Sequence, residues 1–301
     1  MKMNPFTLLI LLLSLLVSPA LLAGQPLVDG AWLANQLDKP DLRVLDLQPR
    51  PAYQKFHVPG AVHSEYADWV KTDTKGTPKM RPPVATLEQL IGGLGIDNRT
   101  RVVLVVTGRS AGEMASATRV YWTFKSLGHD AVSILDGGLI AYAQSRDHPL
   151  ENGSNPAVKK TFRAQPRQEY QVSATELKAT LGNISLVDNR SPGEYLGLLQ
   201  GGDKERPGTL PGAINLPFQW LTVNGGATFR SLEHLRRIYQ AAGVPLTGEQ
   251  ISFCHTGHRT SLAWFVSHEL LGNDKARLYD GSTAEWALEP ALPMEQKIKL
   301  D

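Results

Sequence analysis

One short segment holds most of the residues whose side chains and spacing could do chemistry. It runs from Cys254 to Ser261 and reads CHTGHRTS. An apolar run, 250–253, precedes it, and a helix-like stretch, 262–271, follows it. A strand that ends in a tight glycine-containing turn just before a helix directs several backbone N–H groups at the side chain in the turn. The segment therefore predicts an anion-binding loop around a sulfur atom.

Cys254, the single cysteine of the chain, is the predicted nucleophile. The thiolate is the attacking form of cysteine, and a helix N-terminus or a nearby cation such as Arg259 favours that form. Gly257 would let the loop backbone curl inward, since glycine tolerates positive φ angles. The competing interpretation is that a lone cysteine is a small buried apolar residue. The loop around Cys254 favours the reactive interpretation.

Besides the nucleophile, the loop is predicted to contribute five residues, His255, Thr256, Gly257, His258 and Thr260. His255 and His258 would add positive charge only in part at neutral pH. Arg259 could bind a sulfur oxyanion as a fork, or it could turn outward and fix the loop through a carboxylate. The side chain of Thr260 or Ser261 is expected to cap the following helix.

The pattern Cys-x-x-Gly-x-Arg-Thr between a strand and a helix resembles the active-site loop of rhodanese-type sulfurtransferases. The resemblance implies that the Cys254 thiolate attacks the outer sulfur of a small anionic donor such as thiosulfate. Sulfite then leaves, and a persulfide remains until cyanide or a thiol acceptor removes its terminal sulfur. No metal or organic cofactor is implied.

The chain also contains an internal repeat, which extends the resemblance over both halves. The motifs shared by the halves, in the same order, are an apolar pair followed by Asp at 44–46 and 186–188, Pro-Gly-Ala at 59–61 and 211–213, Leu-Gly at 127–128 and 271–272, and Asp-Gly at 136–137 and 280–281. Short apolar strands that alternate with helical segments indicate a parallel sheet with helices on both faces. The predicted fold class is α/β, with two tandem rhodanese-like domains.

The predicted domain boundaries are 25–148 for the first domain, 149–170 for a linker and 171–301 for the catalytic domain. A capping box at Ser173 and Glu176 is expected to begin the first helix of the catalytic domain. The linker holds Pro149 and the run Asn-Gly-Ser-Asn-Pro at 152–156, and it has no sustained apolar period.

The first copy has no cysteine where the second has its nucleophile. Alignment from the preceding strand places Val106 opposite Cys254, whereas alignment from the following helix places Ser110 there. The first domain is therefore predicted to be structural, or to shape the cleft from one side. The resemblance implies the same division, because tandem-domain rhodaneses keep the active cysteine in the C-terminal domain.

Asp188 and Arg190 stand at the end of the first predicted strand of the catalytic domain. The carboxyl ends of parallel strands form the ligand-binding edge of a sheet, and the Cys254 loop leaves from the same edge. Arg190 is therefore predicted to face Cys254 and hold the donor anion, as the resemblance also implies. The alternative is an arginine paired with Asp188 or Glu194. Asp188 is expected to orient the backbone and Arg190 at this substrate-binding position.

Residues 1–23 have the features of a secretory signal peptide, namely Lys2, an apolar run at 8–17 and small residues near position 23. The apolar run is short for a membrane span, which favours a cleaved signal peptide over the alternative, an uncleaved membrane anchor. No stable membrane association is expected after cleavage. The expected location is periplasmic or secreted. A net charge of +2 does not suggest nucleic acid as a partner.

Three other functions are weighed against sulfur transfer from thiosulfate. Cysteine-dependent phosphatases of a related fold place five residues between Cys and Arg, whereas Cys254 and Arg259 are separated by four, which makes a tighter cradle. A non-catalytic sulfur-carrier or binding protein would keep Cys254 idle. The third alternative, 3-mercaptopyruvate as the donor, stays open, although two arginines favour a dianion.

Overall fold

The structure is a computed structural model that describes residues 24–202 and 205–300. The predicted signal peptide, residues 1–23, lies outside the described residues. Within those two ranges, no helix is both long enough and apolar enough to cross a membrane.

The first domain is a five-stranded parallel sheet with the strand order β1-β5-β4-β2-β3. Its strands are β1 (Leu27–Val28), β2 (Leu42–Asp46), β3 (Val62–His63), β4 (Arg101–Val105) and β5 (Val132–Leu135). Its helices are α1 (Gly30–Ala34), α2 (Arg50–Lys55), α3 (Val84–Gly93), α4 (Ala111–Ser126) and α5 (Gly138–Tyr142), with a 3-10 turn at Tyr66–Trp69.

The second domain repeats this topology, with the order β6-β10-β9-β7-β8. Its strands are β6 (Gln171–Val172), β7 (Ser185–Asp188), β8 (Ile214–Asn215), β9 (Gln250–Phe253) and β10 (Ala276–Tyr279). Its helices are α6 (Ala174–Thr180), α7 (Pro192–Leu196), α8 (Leu232–Ala242), α9 (His258–Phe265) and α10 (Ser282–Trp286), with short 3-10 turns at Gln168–Tyr170, Phe218–Leu221 and Val223–Gly225 and a π-helical turn at Val266–Leu270. The predicted α/β fold with two tandem parallel sheets is confirmed.

Two predictions about helix starts have different outcomes. The capping box of Ser173 and Glu176 is present at the start of α6. The helix after the cysteine, in contrast, begins four residues earlier than predicted, at His258. Its N-cap is Gly257, which has a φ of +69° and no side-chain cap. The prediction that Thr260 or Ser261 caps this helix is therefore wrong, because the left-handed glycine lets the chain enter the helix before either residue.

The two domains share one apolar core, in which α4 packs against α9. Twelve of the 16 residues of α4 are buried, so this helix is internal rather than a surface element. Polar contacts cross the same interface, since Thr118 hydrogen-bonds Ser261 at 2.9 Å and Tyr121 donates to Glu269 at 2.8 Å. The first domain therefore lies directly against the helix that follows the predicted nucleophile.

Candidate active site

The Cys254 loop starts at the carboxyl end of β9. The neighbouring strand β7 ends at Asp188, which pairs with Phe253 in the sheet. Both predicted site segments thus emerge side by side at one edge, as expected from a parallel sheet. Cys254 itself has no solvent-exposed surface.

The loop rests on the start of α10 through four hydrogen bonds. The N–H groups of Cys254 and Gly257 both donate to the Ser282 hydroxyl, each at 3.1 Å. Thr283 N–H donates to the Cys254 carbonyl at 3.1 Å, and Ala284 N–H donates to the His255 carbonyl at 2.9 Å. Residues 282–284 were not predicted from the sequence, although the repeated Asp-Gly motif just before them indicated that this turn matters.

Several other amides of the loop keep their hydrogen-bonding capacity. Within residues 24–202 and 205–300, no backbone or side-chain acceptor is found for the N–H groups of His255, Thr256, His258, Arg259 and Thr260. The last three lie in the first turn of α9, where N–H groups have no intrahelical partner. A group of unpaired amides in a mostly buried loop favours an anion among them.

Arg190 is buried and tied to its own strand end. Its guanidinium donates to both carboxylate oxygens of Asp188, at 2.6–3.2 Å, and to the Gly208 carbonyl at 2.7 Å. Asp188 also accepts from the Arg190 backbone N–H at 3.0 Å and from the Thr209 hydroxyl at 2.8 Å. The carboxylate thus orients the backbone and the arginine, and it compensates the charge of Arg190.

Arg259 turns toward a carboxylate rather than into the loop. Its two terminal nitrogens donate to the two oxygens of Glu194, both at 2.7 Å. Burial would raise the pKa of Glu194, but the hydrogen bonds and charge of Arg259 overcome burial and lower that pKa to about 2. Burial would lower the pKa of the Arg259 guanidinium, but the hydrogen bonds and charge of Glu194 oppose burial. The net effect is a raised pKa. Of the two roles open to Arg259, this geometry is the loop-fixing one.

The two histidines of the loop have different partners. His255 Nε2 donates to Glu205 at 2.6 Å. His258 Nε2 donates to the Gly112 carbonyl at 3.1 Å, so Nδ1 accepts from the Tyr66 hydroxyl at 2.6 Å. Burial and, to a smaller extent, the positive charge of Lys79 lower the pKa of His258 to about 4. His258 is therefore neutral at physiological pH and adds no charge to the site.

Two further contacts fix the middle of the loop. The Thr260 hydroxyl donates to the Asn189 side chain at 2.8 Å. Arg119, from α4 of the first domain, is fully buried and donates to the Gly257 carbonyl at 3.3 Å and to Asp280. A Cβ atom at Gly257 would lie only 2.6 Å from the Arg119 guanidinium, so glycine is needed for space as well as for its φ angle. Thr256 is buried within the same loop.

The equivalent edge of the first domain has lost its capacity for an anion. Asp46 pairs with Val105 as Asp188 pairs with Phe253, so Val106 occupies the position of the cysteine. The Glu113 carboxylate accepts from the N–H groups of Gly108 and Arg109, both at 2.9 Å. An internal carboxylate thus takes the amides that would hold an anion.

A cavity of about 310 Å³ lies at this edge of the first domain and has Glu65 and Glu113 in its wall. Gln48 stands where the second domain has Arg190 and donates to Asp46. Burial raises the pKa of Asp46 to about 6, although the Gln48 hydrogen bonds oppose this shift. The first domain thus has glutamine at the position of Arg190 and two glutamates in the cavity wall. This edge is unsuited to an anionic donor.

Comparisons with known proteins extend over the same two units. Residues 29–145 and 173–289 each match the family model of the Rhodanese-like domain. The chain is 33% identical over 279 residues to a protein of Mycolicibacterium smegmatis named as a thiosulfate sulfurtransferase, with 89% of this chain and 97% of the relative covered. A relative of the same name from Haloferax volcanii is 31% identical over 287 residues, with 91% of this chain and 97% of the relative covered.

A solved structure has the same fold. The 3-mercaptopyruvate sulfurtransferase SseA of Escherichia coli superposes with a TM-score of 0.74 at 23% sequence identity. The superposition covers 86% of this chain and 99% of that chain. At this level of identity the likeness describes the architecture.

Proposed function

The chain belongs to the rhodanese family, and from this premise we propose that it is a sulfurtransferase that moves a sulfane sulfur from thiosulfate to cyanide or a thiol. The observation that carries the proposal is the Cys254 loop, a lone cysteine followed by amides that have no protein acceptor in the described chain. The names of the two relatives support thiosulfate as the donor.

In the proposed first step, the Cys254 thiolate attacks the outer sulfur of thiosulfate. A bond forms between Sγ and that sulfur, the sulfur–sulfur bond of thiosulfate breaks, and sulfite leaves with the electron pair. The product is a persulfide anion on Cys254. The unpaired amides of the loop would stabilise its charge, since fixed donors that need no reorganisation are effective in a buried site.

In the second step, the acceptor attacks the terminal sulfur of the persulfide. Cyanide becomes thiocyanate, or a thiolate becomes a persulfide, and the bonding pair returns to Sγ of Cys254. Both steps are exchanges at sulfur, so the loop must accommodate a negative charge throughout. No metal or organic cofactor takes part in either step.

A second donor, 3-mercaptopyruvate, is favoured by one specific observation. Asp188 binds the guanidinium of Arg190, and Glu194 binds that of Arg259. The two cations expected to hold a dianion are thus each compensated by a carboxylate, which suits a donor that carries a single negative charge.

Steady-state kinetics with both donors, combined with intact-mass measurement, tests the proposal. We expect the wild-type protein to gain the mass of one sulfur atom when it is incubated with a donor and to lose it when cyanide is added. Cys254→Ser should show neither the mass gain nor thiocyanate formation. Sulfur transfer that persists in Cys254→Ser would overturn the mechanism, and a phosphate-ester substrate serves as the control for phosphatase chemistry.

We also propose that the protein is exported, on the basis of the signal-peptide pattern in residues 1–23. Expression with and without this segment, followed by fractionation and N-terminal sequencing, tests the idea. Export predicts a mature N-terminus near residue 24 in the extracytoplasmic fraction, whereas an uncleaved, membrane-bound chain would contradict it.

A further inference from the structure

Ser282 has a backbone conformation that L-amino acids with side chains rarely adopt. Its φ is +50°, in the left-handed region. The first domain has glycine at the equivalent position, Gly138, with a φ of +65°. The equivalence follows from the next residues, since Leu139 N–H donates to the Val106 carbonyl as Thr283 N–H donates to the Cys254 carbonyl. The same turn is thus built with glycine in one copy and with a strained serine in the other.

The Ser282 hydroxyl uses its full hydrogen-bonding capacity. It donates to the Tyr279 carbonyl at 2.8 Å and accepts from Cys254 N–H and Gly257 N–H, both at 3.1 Å. A hydroxyl has one donor and two acceptor positions, so none is left over. The side chain is fully buried, and all three bonds are made away from solvent.

The two amides that Ser282 accepts come from the first and last residues of the tight turn, Cys254 and Gly257. One oxygen atom therefore ties both ends of the turn to a common point. The amides between them, those of His255 and Thr256, have no acceptor in the described chain. This arrangement separates amides that hold the shape of the loop from amides that are free to bind charge.

We propose that Ser282 is a positioning residue for sulfur transfer, which sets the curvature of the Cys254 loop through the N–H groups of Cys254 and Gly257. This inference rests on the proposed function and deepens it. Glycine would satisfy the backbone at position 282 without strain. Glycine lacks the serine hydroxyl, and one of the two amides that this hydroxyl holds belongs to Cys254, the residue that carries the sulfur.

The test compares Ser282→Gly with Ser282→Ala. Both variants lack the hydroxyl, but alanine retains the strained φ angle whereas glycine relieves it, so Ser282→Gly should melt at a higher temperature than Ser282→Ala. We expect both variants to lose at least tenfold in kcat, by similar factors, at a temperature well below either melting point. The KM for thiosulfate should change less than threefold, because the amides of His255 and Thr256 are retained.

Asn224→Gly is the matched control. Asn224 has a φ of +53°, and it lies exposed in a 3-10 turn outside the loop. This variant replaces another left-handed non-glycine residue without altering the site, so its kcat should equal that of the wild-type protein.

Two outcomes would overturn the inference. One is a Ser282→Gly variant with wild-type kcat, and the other is activity that follows melting temperature across the three variants. Both outcomes differ from a failure of the proposed function. In that case the wild-type protein would itself gain no sulfur from thiosulfate or 3-mercaptopyruvate in the intact-mass measurement.

Discussion

Nδ1 of His258, in the loop of the second domain, accepts a hydrogen bond of 2.6 Å from the hydroxyl of Tyr66, in the first domain. Because the ring is neutral at physiological pH and Nε2 donates to the Gly112 carbonyl, Nδ1 carries no proton and is the acceptor. The first domain therefore supplies both hydrogen-bond partners of this imidazole. Burial, and to a smaller extent the charge of Lys79, keeps the ring neutral. A histidine in the Cys254 loop acts here as a fixed contact between domains.

The burial of His258 predicts how the free energy of unfolding depends on pH. The folded protein resists protonation of His258 down to a pKa of about 4, whereas an unfolded histidine takes up a proton near pH 6.5. The unfolded state thus binds more protons between these values, so the free energy of unfolding should fall as the pH drops from about 6.5 to 4, by up to about 3 kcal/mol from this group. Urea unfolding at pH 4.5 and 7.5 should show a smaller loss in His258→Gln. An identical pH dependence in the two proteins would contradict the assignment.

Asp46 and Asp188 occupy equivalent positions in the two sheets, and replacing each with Asn is predicted to change stability in opposite directions. Burial raises the pKa of Asp46 to about 6, so its ionised form is disfavoured in the fold. The stability of Asp46→Asn relative to wild type should therefore increase with pH, by about 3 kcal/mol between pH 4 and 7.

Asp188→Asn is the matched variant in the second domain. It leaves the buried Arg190 guanidinium without a carboxylate, and breaking such a pair costs about 3–5 kcal/mol. Denaturant unfolding of both variants across this pH range measures the contrast. If Asp46→Asn became less stable relative to wild type as the pH rose, the account of the first domain would be wrong.

The architecture and the location of the site were accessible from the sequence. Two sets of strand and turn motifs in the same order indicated duplicated parallel sheets, and the strand-turn-helix pattern placed Cys254 at the same sheet edge as Asp188. Local patterns of this kind depend on neighbours in the chain, so they can be read without tertiary structure.

The partners of the site residues were not accessible in the same way. Arg259 binds Glu194 from another helix, and Ser282 reaches the loop from the turn after β10. Arg119 comes from the other domain. Such contacts depend on how elements that are distant in the sequence pack together, so no motif near Cys254 predicts them. The helix start at His258 was missed because Gly257 itself serves as the N-cap.

Arg119 provides a test of the contribution of the first domain to catalysis. Its guanidinium donates at once to Asp280 and to the Gly257 carbonyl. Arg119→Lys retains a charge for Asp280, but a single ammonium group lacks the planar fork that holds both partners. We expect kcat for sulfur transfer to fall about tenfold, since small displacements of a catalytic loop can cost up to about 100-fold.

The control is Arg167→Lys. Arg167 makes a similar two-bond contact to Asp130, at 2.6–2.7 Å, without touching the loop. Melting temperatures of both variants, measured beside kcat, separate loss of loop geometry from loss of stability. Wild-type kcat in Arg119→Lys, or equal losses in both variants, would show that the bridge to Gly257 is immaterial.

The pairing of Arg259 with Glu194 predicts how the choice of donor can be shifted. Glu194→Gln removes the carboxylate and leaves one uncompensated positive charge beside the loop. Near a partly exposed site, such a charge is worth on the order of 1 kcal/mol for each unit of substrate charge. Thiosulfate, a dianion, should therefore gain more than 3-mercaptopyruvate, and the ratio of their kcat/KM values should rise about fivefold.

Glu233→Gln, in the exposed Glu233–Arg237 pair of α8, is the control and should leave the ratio unchanged. Added salt should reduce the gain in Glu194→Gln, because ions screen partly exposed charges. A ratio that stayed constant or moved toward 3-mercaptopyruvate would mean that the charge of Arg259 does not reach the donor. Arg259 would then act on sulfur transfer only through the shape of the loop.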